Sequence, residues 1–127
     1  MALALNPVEI EYEATRSDLA EVARYLQDHL GQKLTAYLAG MRDPKMVGRW
    51  ARGTEPRDAP AMRLRAAFQA TRMLTAAYGD RTAKAWFVGS NTQLDDEAPA
   101  MVLRYAQAPD DLQMVVPTAR AFAGAGD

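Results

Sequence analysis

Apolar residues recur at three- and four-residue spacing along most of this chain, which predicts helices almost throughout. Leu19, Val22, Ala23, Leu26 and Leu30 form the first stripe, the i, i+3, i+4 pattern of a helix that turns one face to a core. Ser17 is placed to cap it, and Asp18 and Glu21 put negative charge in its first turn, where the helix dipole favours it. A longer stripe runs through Met62, Ala66, Ala70, Met73, Leu74 and Ala77, broadened by Leu64, Ala67 and Phe68. It predicts the longest element, a central helix that ends near Tyr78 and joins two halves of the molecule. Asp58 would be its N-cap, with Ala59 and Pro60 in the first turn. Gly79-Asp80 then ends this helix and caps the next, Thr82–Val88, where adjacent Trp86 and Phe87 should point one to the core and one to a partner or a neighbouring helix. Ala100–Ala106 reads as a short helix. Pro109-Asp-Asp opens a last one with Leu112, Val115, Val116 and Ala119 on its apolar side, in which Pro117 marks a kink or a first turn. Arg120–Asp127 reads as a small flexible tail, on which Phe122 is either a clip on this protein or an anchor for another.

Two shorter helices precede the long one. Gln32 to Ala39 is closed by Gly40. In Asp43-Pro-Lys-Met-Val-Gly-Arg-Trp-Ala-Arg-Gly53, Asp43 is a capping acceptor, Pro44 suits the first helical position and Gly53 can end the helix with φ > 0. Met46, Val47 and Trp50 make its apolar side. Lys45, Arg49 and Arg52 lie elsewhere on it, toward solvent or phosphate. Two short helices joined by a tight turn, the second one basic, describe a helix-turn-helix. An ordinary bundle with solvated charges fits the same spacing. Residues 1–14 break the helical period: Asn6-Pro7 stops an early helix, and Val8, Ile10 and Tyr12 alternate with Glu9, Glu11 and Glu13, the pattern of an extended arm or a short strand on a partner.

Charge changes this picture because it is unevenly spread. The net formal charge is −1, yet residues 32–65 hold eight Lys and Arg against three carboxylates. Residues 1–31 and 90–127 each hold two basic residues against six acidic ones. A basic middle between acidic ends suits phosphate contact at one face and a protein partner at another; Arg63 and Arg65 would extend the basic face or merely snorkel.

Composition excludes other classes. The chain has 127 residues, 49% of them apolar, enough for one domain or two small helical halves sharing a core. No run approaches the roughly 18 apolar residues of a membrane span, and the first residues lack the basic and apolar regions of a signal peptide, so the cytoplasm is expected. With no cysteine there is no disulfide framework or thiol chemistry. His29 is the only histidine; without a second soft ligand a metal role is disfavoured, and a surface place near a helix C-terminus is expected. No nucleophile–base pair is legible, and Asp95-Asp96-Glu97 and Asp110-Asp111 read as helix-start acids, so neither an enzyme nor a cofactor is expected.

The order of these pieces resembles the Xre/MbcA/ParS antitoxin family. The resemblance rests on the helix-turn-helix ending in Val47-Gly-Arg-Trp-Ala-Arg-Gly53, the long helix with Arg63-Leu-Arg, and Ala83-Lys-Ala-Trp-Phe-Val-Gly-Ser-Asn91, and it covers residues 17–124. The family's tail has glycine directly before a valine–aromatic pair, whereas this chain has Arg120-Ala-Phe-Ala-Gly124; the turn after Asn91 lacks the usual proline and glycine. The resemblance implies an all-α fold, with an N-terminal helix-turn-helix bundle continuous with a small helical toxin-binding domain. The expected division is an arm at 1–16, a helix-turn-helix region at 17–58 and a toxin-binding part at 59–127.

It also implies a function: an antitoxin of a type II pair that covers the active-site cleft of a RES-domain, NAD-degrading toxin and also binds operator DNA. Trp86, Asn91, Leu103, Arg120 and Phe122 would face the toxin or support the toxin-facing surface, and Lys45, Arg49 and Arg52 would face DNA. Homo-oligomers or a hetero-oligomeric complex with the toxin are expected. A stand-alone transcriptional regulator, or a helical adaptor with a vestigial helix-turn-helix, are the alternatives.

Overall fold

The computed structural model describes residues 18–125, and these are helical with no β-strand. Seven α-helices follow in chain order: α1 Leu19–Leu30, α2 Gln32–Ala39, α3 Lys45–Ala51, α4 Asp58–Tyr78, α5 Asp80–Val88, α6 Pro99–Tyr105 and α7 Val115–Gly124. Short 3-10 turns at Thr92–Leu94 and Pro109–Leu112 flank α6. None of these helices is long and apolar enough to cross a membrane. The arm at 1–16 and its alternating Val8, Ile10 and Tyr12 lie outside the described residues, as does Ser17. Asp18 takes the capping place: its Oδ1 accepts from the Ala20 and Glu21 amides at 2.7 and 3.1 Å.

The 21-residue α4 is the spine, packed against α1, α2, α5, α6 and α7. Because neighbours cover it from several directions, its buried band is wider than one stripe. Leu64, Ala67, Phe68, Ala70, Thr71, Met73 and Leu74 are buried, Met62 and Ala66 only partly, and Ala77 is exposed. Ala77 lies beyond the last packed turn, just before Gly79 (φ +89) redirects the chain. Asp58 is the first helical residue rather than the cap, which falls on Arg57.

One hydrophobic cluster runs from Val22 and Leu26 on α1 through Leu38 on α2, Val47 and Trp50 on α3 and Phe68 on α4. It continues through Phe87 on α5 and Leu103 on α6 to Val115 and Ala119 on α7. Of the two destinations open to the second aromatic ring, a partner or a neighbouring helix, burial favours the interior: Phe87 is fully buried and Trp86 is 7% exposed. Their rings meet edge-on at 5.0 Å, which lets two successive residues share one core. The single last helix expected from Pro109 onward is two pieces, because the chain bends between Leu112 and Val115; Pro117 falls in the first turn of α7, where its missing N–H costs nothing. The segment expected to be a flexible tail is helical to Gly124.

Arginines close the helix ends. An α-helix leaves its last carbonyls without intrahelical donors, and a cation there also meets the negative end of the dipole. Arg24 Nη1 donates to the Ala51 carbonyl at the end of α3 (2.7 Å). Arg104 Nη1 donates to Tyr37 in the last turn of α2 (2.7 Å), with its guanidinium 4.5 Å from the Tyr37 ring centroid. Arg63 does most: Nη1 donates to Ala39 (3.0 Å), and Nε and Nη2 both donate to Ala106 (3.1 and 2.7 Å). It therefore ties the ends of α2 and α6 to α4 and is not part of a free basic face. Gly40 makes room for it: the backbone there has φ +87, and a Cβ would sit 2.3 Å from Arg63 Nη1.

Candidate functional site

Two faces carry the residues singled out from the sequence. The first is α3. Asp43 behaves as expected of a cap, its Oδ1 accepting from the Lys45 amide at 2.9 Å, and the helix ends at Gly53 with φ +113. Val47, Gly48, Trp50 and Ala51 are buried against α1 and α2. A Cβ at Gly48 would meet the ends of two flexible side chains, Gln32 Nε2 at 3.0 Å and Arg52 Nη1 at 3.2 Å. Lys45, Arg49 and Arg52 are all exposed, and their i, i+4, i+7 spacing aligns them in one stripe opposite the buried side. Among the described residues none of the three meets a carboxylate: the ion pair present is His29 Nδ1 with Asp80 Oδ1 at 2.6 Å. Arg49 Nη1 reaches only the Met46 sulfur, at 3.4 Å.

That pair settles two other residues. His29 is one-third exposed near the end of α1, stacked on Tyr25 with ring centroids 4.1 Å apart. Asp80, expected to cap α5, instead turns its carboxylate to His29, and α5 has no side-chain cap. Among the described residues no group of three or more His, Cys, Asp or Glu is placed to hold a metal.

The second face lies where α5, the turn after it and α7 meet. Trp86, Asn91 and Phe122 line one depression of about 280 Å³ together with Thr82 and Ser90. Ser90, Asn91 and Phe122 also line an adjoining one of about 380 Å³, which reaches Thr92, Gln93 and Thr118. The two share a wall and form a single cleft. Asn91 organises its rim: its Oδ1 accepts from the Gln93 amide at 2.9 Å, its backbone carbonyl accepts from Asp96 at 2.9 Å, and its backbone amide donates to Glu97 at 3.2 Å. This closed turn forces Asp95 and Asp96 to φ +56 and +66, a left-handed conformation that Asp tolerates. These acids therefore belong to a tight turn and not to a helix start. Asp111 does fit the helix-start reading, its Oδ2 accepting from the amides of Gln107 and Ala108.

Phe122 is 41% exposed and half seated on this protein. Its ring meets Tyr78 edge-on at 5.3 Å, and Tyr78 donates its hydroxyl to the Phe122 carbonyl at 3.1 Å. Arg120, on α7 between the lining residues Thr118 and Ala121, is exposed and does not line the cleft. Leu103 differs from the rest. It is fully buried in the core, so it supports α6 and cannot touch a partner.

A feature that sequence reading missed lies beneath this cleft. The indole N–H of Trp86 and the hydroxyl of Thr118 are buried and meet no hydrogen-bond partner within the protein. Buried polar groups are almost always paired, so each such group calls for an explanation. Both residues line the cleft. The helical period makes Trp86 and Thr118 core positions; only the packing around them leaves the polar atoms without partners.

Among the described residues the fold is all-helical and carries an exposed cationic stripe on α3 and a cleft where α5, the turn after it and α7 meet. No protein-family model, curated protein or solved structure matches the chain.

Proposed function

We propose that this protein is the antitoxin of a type II toxin–antitoxin pair, a non-catalytic inhibitor whose C-terminal cleft engages a RES-domain, NAD-degrading toxin. The observation that carries the reading is the convergence of Trp86 and Asn91 with Phe122, 31 residues further along the chain, on one cleft. The family resemblance assigns all three to the toxin-facing surface or to its support. The cleft's polar groups favour a protein ligand, since a partner backbone can accept from the Asn91 side-chain Nδ2 while a partner side chain packs on Phe122. Trp86 acts from beneath as part of the packed base of this surface, while Leu103 holds α6 in the core.

The test is co-expression with the adjacent open reading frame, following growth and cellular NAD. NAD collapse with the neighbour alone and recovery with both supports the antitoxin; a neighbour that leaves NAD unchanged overturns the toxin link.

A second role is favoured by the uncompensated stripe of Lys45, Arg49 and Arg52. In this reading α2, the turn from Gly40 to Pro44 and α3 form a helix-turn-helix, and α3 contacts operator DNA. The stripe and the cleft sit on different elements, so toxin and DNA can be held together.

A further inference from the structure

Apart from both faces, the structure carries an apolar groove of about 620 Å³ between the α1–α2 corner and the α5–α6 pair. Leu30, Leu34 and Tyr37 form one wall, and Val88 and Met101 the other. Val88 is 62% and Met101 41% exposed, an uncommon share for aliphatic residues on adjacent helices. Lys33 and Lys84 line the same groove. Both are exposed, and no described carboxylate pairs with either.

We propose that this groove is the docking site of the chain's own N-terminal segment, residues 8–13. Their sequence has the two properties the groove asks for. Val8, Ile10 and Tyr12 are apolar at alternate positions, so an extended backbone turns all three to one side. Glu9, Glu11 and Glu13 occupy the positions between them, where they complement Lys33 and Lys84. The reach is also right. Leu30, at the far end of α1, lines the groove, and the 12 residues of α1 span about 18 Å. Ile10 lies eight residues before Asp18, about 26 Å of extended chain at roughly 3.3 Å per residue. A segment running back beside α1 therefore brings Ile10 to the groove with little slack. Docking there would cover the Val88–Met101 patch.

The chain has no cysteine, so paired introduced thiols report the docking directly in the full-length protein. Ile10→Cys with Met101→Cys should form an intramolecular disulfide at least ten-fold faster than Ile10→Cys with Arg49→Cys or Gln113→Cys, whose partners are exposed on other elements. Lys33→Glu with Lys84→Glu should slow the first reaction several-fold, as should added salt. Equal rates for the three pairs overturn the proposal. So does a disulfide found only between two molecules, which would assign the groove to a second copy. A rate indifferent to both lysines and to salt removes the charge argument and overturns the acidic segment as the occupant. Circular dichroism of each variant confirms that the helices persist.

Discussion

Arg63 is the residue whose role changes most between sequence and structure. Its position near the start of the long helix beside Arg65 suggests a surface cation, yet its guanidinium bridges the carbonyl ends of two other helices. A planar group with five donors in fixed directions can serve two carbonyls at once, which an ammonium cannot. Arg63→Ala should therefore destabilise the protein by about 2–3 kcal/mol, because the carbonyls of Ala39 and Ala106 are left without their donors. Arg63→Lys should recover less than half of that. Urea unfolding of the two variants decides the matter, and a Lys variant as stable as the parent would show that charge alone suffices. Trp86 and Leu103 teach the opposite lesson: large apolar side chains in a sequence rich in partner signals are core residues first.

The helices themselves behave as their patterns predict, and their function follows from which side stays uncovered. On α3, packing against α1 and α2 takes Val47, Gly48 and Trp50 and leaves the Lys45, Arg49, Arg52 stripe. If the stripe binds DNA, Arg49→Ala with Arg52→Ala should abolish operator binding at physiological salt and reduce the slope of log K against log salt by about two, one for each phosphate no longer neutralised. Mobility shifts across a salt series measure it, and an unchanged slope would leave the stripe a solvated face. On α7, Phe122 is the exposed half of an aromatic pair with Tyr78. If the cleft engages the toxin, Phe122→Ala trims the exposed edge of that surface without opening the core, so toxin neutralisation should fall by ten-fold or more while helix content and the unfolding midpoint barely change. Loss of fold instead of affinity would make Phe122 a clip on this protein. Removing residues 120–127 should weaken neutralisation further, since it also takes the last turn of α7.

Across the whole molecule one core links the part before residue 58 to the part after it. Trp50 belongs to the first and Trp86 to the second, and both are nearly buried in the same cluster. The packing of α2 on α6, and the arginine bonds from Arg63 and Arg104, cross between the two parts. Single-tryptophan variants, Trp86→Phe and Trp50→Phe, should thus report coincident unfolding transitions by fluorescence, the signature of one cooperative unit. Separate midpoints would mean that the two parts unfold independently.

Helix count, helix order and most boundaries were legible in the chain because they depend on interactions within a few residues: the i, i+4 stripe, the Asp43 cap, and the glycines at 40, 53 and 79 that end helices with positive φ. The uneven charge was equally plain. What needed the fold was every choice made over long sequence distances. Arg63 and Ala106 are 43 residues apart, Tyr78 and Phe122 44, and His29 and Asp80 51. No local period encodes such pairings, so side-chain destinations on the wide face of α4, the burial of both Trp86 and Phe87, and the cleft with its unpaired indole and hydroxyl were decided only when the helices packed. The sequence alone determined which segments coil, since that is a matter of nearest neighbours; the tertiary structure decided which faces remain to meet something else, since burial is shared among all the elements at once.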